Sequence, residues 1–306
     1  MQQKQPYCPR LFVISLFFIG IIQFTFASDT LDLKKRKNII IAGNSVAYGS
    51  LMIGLNELWY KDYPKSKFHF FNDNKQWLQM DKVGHMYSCY YEGLAGIEMM
   101  KWAGYSQKEY SLIGGAYGFF IQTSVEILDG FSKEWGASPG DMTANLLGVG
   151  MAISQSLFWD KQRLIMKFSF APSNYSDERP NTLGSNYPEK VIKDYNGQTY
   201  WMSCNVNSFF PKSNWPKWLN LAVGYGADGM YGGNDNVFVS NRTSYDFSST
   251  KRKRQFYFSP DIDLSKIKTN NSVLRSLLIV FNSLKFPLPT IEYGPNDGFR
   301  GHWIKF

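Results

Sequence analysis

Seven polar or ionisable side chains lie on three segments that otherwise have the apolar pattern of helices. They are Asp81, Lys82, His85, Glu126, Asp129, Asp141 and Asn145. Such groups are costly to bury unless they are paired, so we expect them to face one another inside the fold. A histidine among several carboxylates is suited to general acid–base catalysis, because nearby charges tune its pKa.

The spacing within each segment places these groups on shared helix faces. Asp81 and His85 are four residues apart and are therefore neighbours on one face. Glu126 and Asp129 are three apart near the C-terminal end of their helix, where a negative charge opposes the helix dipole. In an up-down bundle that end can meet the starts of the other two helices, so the groups are expected to converge.

Three interpretations of this cluster stay open. The first is a buried ionic network that fixes helix register. The second is a catalytic or ligand-binding site, and the third is a site for a divalent metal. In the catalytic interpretation His85 is the acid or base, Glu126 or Asp129 orients it, and Lys82 contacts an anion. Asp141 has a simpler role as a helix-capping residue. The sequence offers no clear nucleophile, and without Cys/His metal spacing a zinc site is not supported. We assign no metal and no other cofactor.

Helix signals around the cluster predict four helices. The first covers 38–59, where Gly43, Ala47, Ser50 and Gly54 line a face suited to close helix packing. The second runs from about 81 to 102. Glycines 114, 115, 118, 148 and 150 fall within apolar helical pattern and form no phosphate-binding motif, so close packing explains them better.

The ends of the other two helices carry specific signals. The third helix opens on a capping box at Ser106 and Glu109 and runs to about 129, with Gly130 as its stop. The fourth begins at Ser138, with proline at the first helical position, and continues to about 159. Four helices with short connections favour a bundle.

The residue pattern of the chain changes after residue 160. Strands are expected at 163–170 and 255–264, extended chain at 286–293, a loop at 171–190 and an amphipathic helix at 272–284; 199–206 is strand or helix. The predicted fold class is therefore α+β, a four-helix N-terminal bundle followed by a mixed strand and helix C-terminal half.

The ending 301–306 is expected to be an edge strand. A small outer-membrane barrel is the alternative, although a barrel needs at least eight strands and we count six or seven.

The N-terminus indicates export. Residues 1–27 have a charged start, an apolar run and a small residue at their end, which predicts a signal peptide; an uncleaved anchor is the alternative. Cys8 precedes the apolar run, so there is no lipobox. The predicted domains are 28–160 and 161–306. Cys89 and Cys204 could form a disulfide in an oxidising compartment or stay as free thiols.

The amino-acid composition indicates which kinds of partner to expect. The net charge is +8 and aromatic residues make up 17% of the chain. In an exported protein, basic charge and aromatic residues favour contact with anionic lipid and the membrane interface. No nucleic-acid motif accompanies the charge. The expected partners are membrane lipid or other envelope components, and the oligomeric state is not indicated.

The spaced set of motifs resembles a known family. Its parts are Asp81-Lys82-x-x-His85, Gly104-Tyr105-Ser106, Ile113-Gly114, Glu126-x-x-Asp129 and Asp141-x-x-x-Asn145-x-x-Gly148. Over roughly 75–160 they look like the YfiM-like family of predicted periplasmic or outer-membrane lipoproteins, in a long form similar to that of Bacteroidota. A more distant likeness is to VanZ-like membrane proteins. The resemblance implies an envelope location and no particular reaction.

These observations predict an exported cell-envelope protein, periplasmic and associated with the outer membrane, whose buried polar cluster has a structural or lipid-related role. The alternative is a hydrolase or transferase acting on a lipid or cell-wall phosphate or ester, with His85 and Glu126 or Asp129. Whether the protein is an enzyme stays open at this point.

Overall fold

The computed structural model describes residues 31–61, 63–240 and 243–305, so the predicted signal peptide lies outside the described residues. Helices occupy the N-terminal part and a sheet the C-terminal part, which confirms the α+β class. The described chain divides into two units. The helical unit comprises 31–74 and 82–162, and the sheet unit comprises 75–81 and 163–305. The predicted domain limits at 28, 160 and 306 stay a prediction.

In the described part of the chain before residue 160, the long helices are α1 (Leu33–Leu55), α2 (Met80–Trp102), α3 (Tyr117–Gly130) and α4 (Pro139–Trp159). A π-helical turn, Asn56–Tyr60, extends α1. A short helix, Gln107–Glu109, and a π-helical turn, Tyr110–Gly114, precede α3. The prediction of one uninterrupted third helix from 106 is therefore wrong. The bundle arrangement stays a prediction.

Capping chemistry sets two helix starts as predicted. The Ser106 amide donates to Oε2 of Glu109 at 2.8 Å, and the reciprocal bond completes a capping box. At the start of α4, the Asp141 amide donates to Oγ of Ser138 at 3.1 Å. Each bond satisfies an amide that the helix leaves without an internal acceptor.

Glycines allow backbone segments of the helical unit to approach closely. A Cβ atom at Gly96 would overlap the carbonyl oxygen of Gly114, and one at Gly118 would overlap the carbonyl oxygen of Cys89. The predicted packing role is also confirmed at Gly115 and Gly148. These contacts leave no room for a side chain, so the glycines determine how near the helices lie.

The packing predictions for Gly43, Gly54 and Gly150 are wrong, whereas Gly130 ends its helix as predicted. On α1, an added Cβ at Gly43 or Gly54 would meet no described atom within 4 Å, so these small residues do not form a packing face. Gly150 is equally open. Gly130 is the last residue of α3 but has no left-handed backbone. Its missing side chain instead makes room for the ring of Phe68.

We expect Gly96→Ala to lower the free energy of unfolding by about 1–3 kcal/mol, because the new methyl group would force apart two packed backbones. The matched control is Gly43→Ala on open helix surface, where alanine should stabilise by about 0.5–1 kcal/mol through its better helix propensity. Urea unfolding of both variants measures the difference. Similar changes in the two variants would contradict the packing role of Gly96.

A six-stranded antiparallel sheet organises the sheet unit, with strands in the order β1-β2-β3-β6-β7-β8 and a separate hairpin of β4 and β5. The bounds are β1 Leu164–Phe170, β2 Gln198–Cys204, β3 Leu219–Asp228, β4 Val237–Ser240, β5 Thr243–Asp246, β6 Lys253–Ile262, β7 Leu288–Gly294 and β8 Gly298–Lys305. The predicted strands and the final edge strand are confirmed. The β4–β5 hairpin was not predicted, and eight described strands exceed our count. Among the described residues β1 and β8 are the two ends of the sheet.

Short helices connect these strands. They are Tyr175–Glu178, Pro180–Leu183, Tyr187–Lys193, Val206–Phe209 and the 3₁₀ turn Leu264–Lys266. The prediction of a plain loop over 171–190 is therefore wrong. Helix α5, Ser272–Phe281, confirms the predicted helix of the C-terminal half and ends three residues early.

A left-handed turn leads into α2. Trp77, Leu78 and Gln79 have φ angles of 49°, 50° and 65°, which non-glycine residues rarely adopt. Such a conformation costs about 1–3 kcal/mol per residue unless its surroundings impose it. Here the Trp77 amide donates to the Gly233 carbonyl at 2.7 Å, and the Trp77 ring lies 5.3 Å from that of Tyr195. Contacts within the sheet unit thus hold the turn.

Candidate functional site

His85 is the centre of the polar cluster in the helical unit. Its side chain is 1% exposed and lies on α2. Nδ1 lies 3.1 Å from Oδ1 of Asn145 on α4, an acceptor that orients the imidazole. Nε2 then faces Oδ1 of Asp141 at 3.6 Å and Oε1 of Glu126 at 3.9 Å. A proton on Nε2 would be attracted by both carboxylates.

Lys82 links this histidine to the connector that precedes α2. Its Nζ lies 2.7 Å from Oδ2 of Asp73 and 2.7 Å from Oδ1 of Asp141. The hydroxyl of Ser138 donates to Oδ1 of Asp73 at 2.6 Å, and the Ser138 amide donates to Oε2 of Glu126 at 2.8 Å. Three carboxylates therefore surround one lysine and one histidine in a cluster of hydrogen bonds and ion-pair distances.

Tyrosines hold the two remaining predicted members. Asp129, on α3, accepts a hydrogen bond from the hydroxyl of Tyr60 at 2.9 Å. Asp81 lies one turn before His85 on α2 and accepts from the hydroxyl of Tyr195 at 2.8 Å, within the sheet unit. The structure thus brings together five residues predicted from the sequence, Lys82, His85, Glu126, Asp141 and Asn145. It adds Asp73 and Ser138, which the sequence analysis did not assign to the cluster.

The cluster has the donor types of a metal site, since one histidine and two carboxylates suit a divalent cation. Lys82 already places a positive charge 2.7 Å from Asp141. Because Asp141 is already paired with an ammonium group, this geometry favours a buried ionic network over a metal centre. The prediction of no metal stays a prediction.

Glu92 is a second buried carboxyl group on α2. It is 0% exposed, and its Oε1 accepts a hydrogen bond from Nε2 of Gln122 at 2.6 Å. Among the described residues its Oε2 has no hydrogen-bond partner. Burial raises the pKa of Glu92 well above its ordinary value, and the bond from Gln122 lowers it by less. The neutral acid is therefore the form that the fold favours.

We expect Glu92→Gln to stabilise the protein near neutral pH. Because the folded-state pKa is raised, the folded chain keeps a proton that the unfolded chain releases, and stability falls as pH rises above the ordinary value of 4.5. Glutamine removes this loss. Urea unfolding across pH should show a flatter profile for Glu92→Gln than for the wild type. The control is Glu98→Gln at a half-exposed site of α2; equal flattening there would contradict the assignment.

A third ionic group lies inside the sheet unit, where the sequence analysis named no candidate. Nζ of Lys167 lies 2.8 Å from Oδ2 of Asp261, and Nζ of Lys285 lies 3.7 Å from Oδ1. All three side chains are fully buried. The hydroxyl of Ser203 donates to Asp261 at 2.6 Å, and Lys285 donates to the Phe286 carbonyl at 2.8 Å. Two lysines share one carboxylate, so the group carries an excess positive charge.

The stability of the sheet unit is expected to rise with pH between about 8 and 10.5. Burial lowers the pKa of Lys285 from 10.5 to about 8, although Asp261 opposes the shift. The folded chain thus loses this proton at lower pH than the unfolded chain, and the full penalty is present below pH 8. Urea unfolding on both sides of pH 8 measures the slope. Lys285→Met should abolish it; a slope retained by this variant would contradict the origin in Lys285.

Comparison with known proteins supports an envelope location. Residues 69–156 match the profile of a family described as predicted periplasmic lipoprotein (DUF2279). The matched region covers under a third of the 306-residue chain and contains the whole cluster around His85. No curated protein and no solved structure matches the chain. The likenesses to YfiM-like and VanZ-like proteins stay resemblances.

The family match and the apolar N-terminal segment together define the class of protein. It is an exported protein, and the family that its helical region matches is described as periplasmic. Of the cysteines in the described residues, Cys89 and Cys204 are both free thiols, so the alternative of a disulfide between them is wrong for this structure.

Proposed function

We propose that the protein is a lipid-associated component of the cell envelope, held at the outer membrane, and that its polar cluster stabilises the helices. The observation that carries this proposal is the polarity of the helical unit. Several of its ionisable side chains are buried, while many of its large apolar side chains are exposed.

Several side chains buried inside the helical unit are strongly polar for a helical core. His85, Glu92, Glu126 and Asn145 are all buried. The exposed apolar residues include Ile39, Ile41, Val46 and Ile53 on α1, Phe120 and Ile127 on α3, and Leu146 and Leu147 on α4. A helix facing water normally has the opposite arrangement, with its apolar stripe inward. Extensive exposed apolar surface is typical of membrane or partner contact.

Helix α1 shows this polarity most clearly. By length and composition it is the one described helix suited to cross a membrane, and only 6% of its most apolar 18 residues are buried. It is nevertheless part of the fold. The hydroxyl of Tyr117 donates to Oδ1 of Asn44 at 2.8 Å, and that of Tyr48 donates to Ser124 at 2.8 Å. The packed side of α1 therefore combines these polar contacts with apolar ones, since Leu51 and Met52 pack against the core of the unit. The exposed apolar residues of α1 remain available for lipid.

Vesicle flotation of the full-length protein tests the proposal. Vesicles of phosphatidylethanolamine and phosphatidylglycerol should carry the wild type upward in a density gradient, in high salt as well as low. The variant Ile41→Lys/Val46→Lys/Ile53→Lys, changed only at exposed sites of α1, should float less. In producing cells the protein should sediment with outer-membrane markers. Clean recovery of the wild type in the soluble periplasmic fraction would overturn the proposal.

An enzyme acting on a lipid or cell-wall phosphate or ester is the second candidate. The observation that favours it is the orientation of His85, whose Nδ1 is fixed by Asn145 while Nε2 faces Glu126 and Asp141. At 1% exposure, His85 could reach a substrate only after the helices open. Purified wild type and His85→Ala should be compared on phosphate and ester lipids. Equal product formation by the two proteins would remove this candidate.

A further inference from the structure

We propose that the outer face of the six-stranded sheet lies against the hydrocarbon of a bilayer that contains anionic phospholipid. This inference rests on the proposed membrane association and concerns the sheet unit, which that proposal does not use. The face, called here the apolar sheet face, consists of Val223, Phe256, Phe258, Ile291, Tyr293 and Phe299. These side chains are between 41% and 79% exposed.

Strand pairing makes the apolar sheet face continuous. Val223 on β3 pairs with Phe258 on β6, and Phe258 pairs with Ile291 on β7. Tyr293 on β7 pairs with both Phe256 on β6 and Phe299 on β8. Directly paired residues point to the same side of a sheet. Four neighbouring strands therefore expose apolar side chains on one common side.

The opposite side of the sheet is buried and rich in polar groups. Its polar members are Lys167, Ser203, Asn220, Ser259, Asp261, Thr290 and Glu292, beside a small apolar cluster of Trp201, Ala222 and Tyr257. Water-facing antiparallel sheets have the reverse alternation, with apolar residues inward and polar residues outward. Strands with apolar side chains outward and polar side chains inward are typical of lipid contact. The ionic group of Lys167, Asp261 and Lys285 lies next to the apolar cluster, with Nζ of Lys285 5.0 Å from the ring of Trp201.

The two ends of the apolar sheet face carry the residues that mark a bilayer interface. On β6 the apolar side runs from Phe256 to Ile262, about 20 Å along the strand. Four consecutive basic residues, Lys251 to Arg254, precede it. At the other end an exposed tryptophan, Trp218, stands just before β3. Tryptophan favours the interface, and juxtamembrane basic residues bind anionic headgroups.

Helix α5 of the same unit gives a second, independent indication of lipid. None of its ten residues is buried, and its one charged residue is Arg275. Val273, Leu274, Leu277, Ile279 and Phe281 are exposed. A helix of this length cannot span a bilayer, but it can lie in the interface with its apolar residues among the acyl chains. A protein partner would have to cover two separate elements, whereas a lipid surface contacts both.

Site-directed spin labelling of the full-length protein tests this inference. Single cysteines replace Val223 and Phe258 on the apolar sheet face, and Ser249→Cys gives a matched exposed control in the connection between β5 and β6. In all three proteins Cys8 and Cys204 are replaced by serine. The parent protein, which retains the buried Cys89, is the blank. Collision rates with oxygen, which enters lipid, and with a water-soluble nickel chelate are measured with and without phosphatidylethanolamine/phosphatidylglycerol vesicles.

The expected result is specific to the two face positions. Vesicles should remove most of the nickel-chelate collisions at 223 and 258 and raise those with oxygen, while 249 stays accessible to the chelate. If the protein floats with vesicles but 223 and 258 stay accessible, the inference fails and the proposed function stands. If both positions are already shielded without vesicles, a second copy or another protein covers the face and the inference is overturned. Failure to float refutes the proposed function instead.

Discussion

Replacing Lys82 with methionine is expected to lower the free energy of unfolding by about 3–5 kcal/mol. The Lys82 ammonium lies 2.7 Å from carboxylate oxygens of both Asp73 and Asp141, and its side chain is only 13% exposed. Without it, these two carboxylates remain mostly buried with no lysine between them, and their charges are poorly compensated. Urea unfolding at neutral pH, followed by far-ultraviolet circular dichroism, measures the loss.

The matched control is Lys108→Met at an exposed position of the short helix Gln107–Glu109, which should change stability by no more than about 0.5 kcal/mol. Adding Asp141→Asn to the Lys82 variant should recover part of the loss, because one of the two facing charges is then removed. A change at Lys82 as small as that at Lys108 would contradict the structural role of the cluster. These polar groups would then be kept at a cost to the fold, as in many ligand sites.

The second large effect is expected for Asp261→Asn, again about 3–5 kcal/mol of destabilisation. Asp261 is the shared counter-ion of Lys167 and Lys285, and the three side chains are fully buried. Asparagine would leave two ammonium groups in the interior without a carboxylate. With the carboxylate gone, the interior must either hold both cations or lose a proton from one of them.

Lys285→Met is the informative comparison for Asp261→Asn. It removes the excess positive charge and leaves the closer pair, Lys167 with Asp261 at 2.8 Å, intact. We therefore expect it to be neutral or stabilising near pH 7, since a well-packed apolar side chain often replaces a buried charge without loss. Unfolding of both variants in one buffer checks the order. Equal destabilisation by the two changes would show that Asp261 does not act as the shared counter-ion.

Much of the cluster around His85 could be predicted from local spacing. Ionisable residues three or four apart in apolar helical segments have few alternatives to meeting one another, and the structure brings His85, Glu126 and Asn145 together. Asp73 could not be placed in this way, because it lies in an irregular connector where no periodicity fixes the direction of a side chain. Its contact with Lys82 depends on the path of that connector.

The sheet unit shows why long-range polar contacts escape sequence analysis. Lys167 stands among apolar residues on β1, which signals an inward polar position once the strand is known. Its partner Asp261 lies on β6, which is not a neighbour of β1 in the sheet. Their meeting depends on the strand order and on the turn into 285. Strand existence could be predicted, but strand register could not.

The left-handed turn before α2 affects the order in which the chain folds. Residues 75–81 belong to the sheet unit although the rest of that unit starts at 163. The bond from Tyr195 to Asp81 closes a loop of 114 residues, and that between Trp77 and Gly233 closes a longer one. Contacts so distant in sequence form late and slow folding. During export, residues 75–81 emerge before their partners, and their contacts stay incomplete until residue 233 has followed. A fragment that begins at 161 lacks this segment and cannot form these contacts.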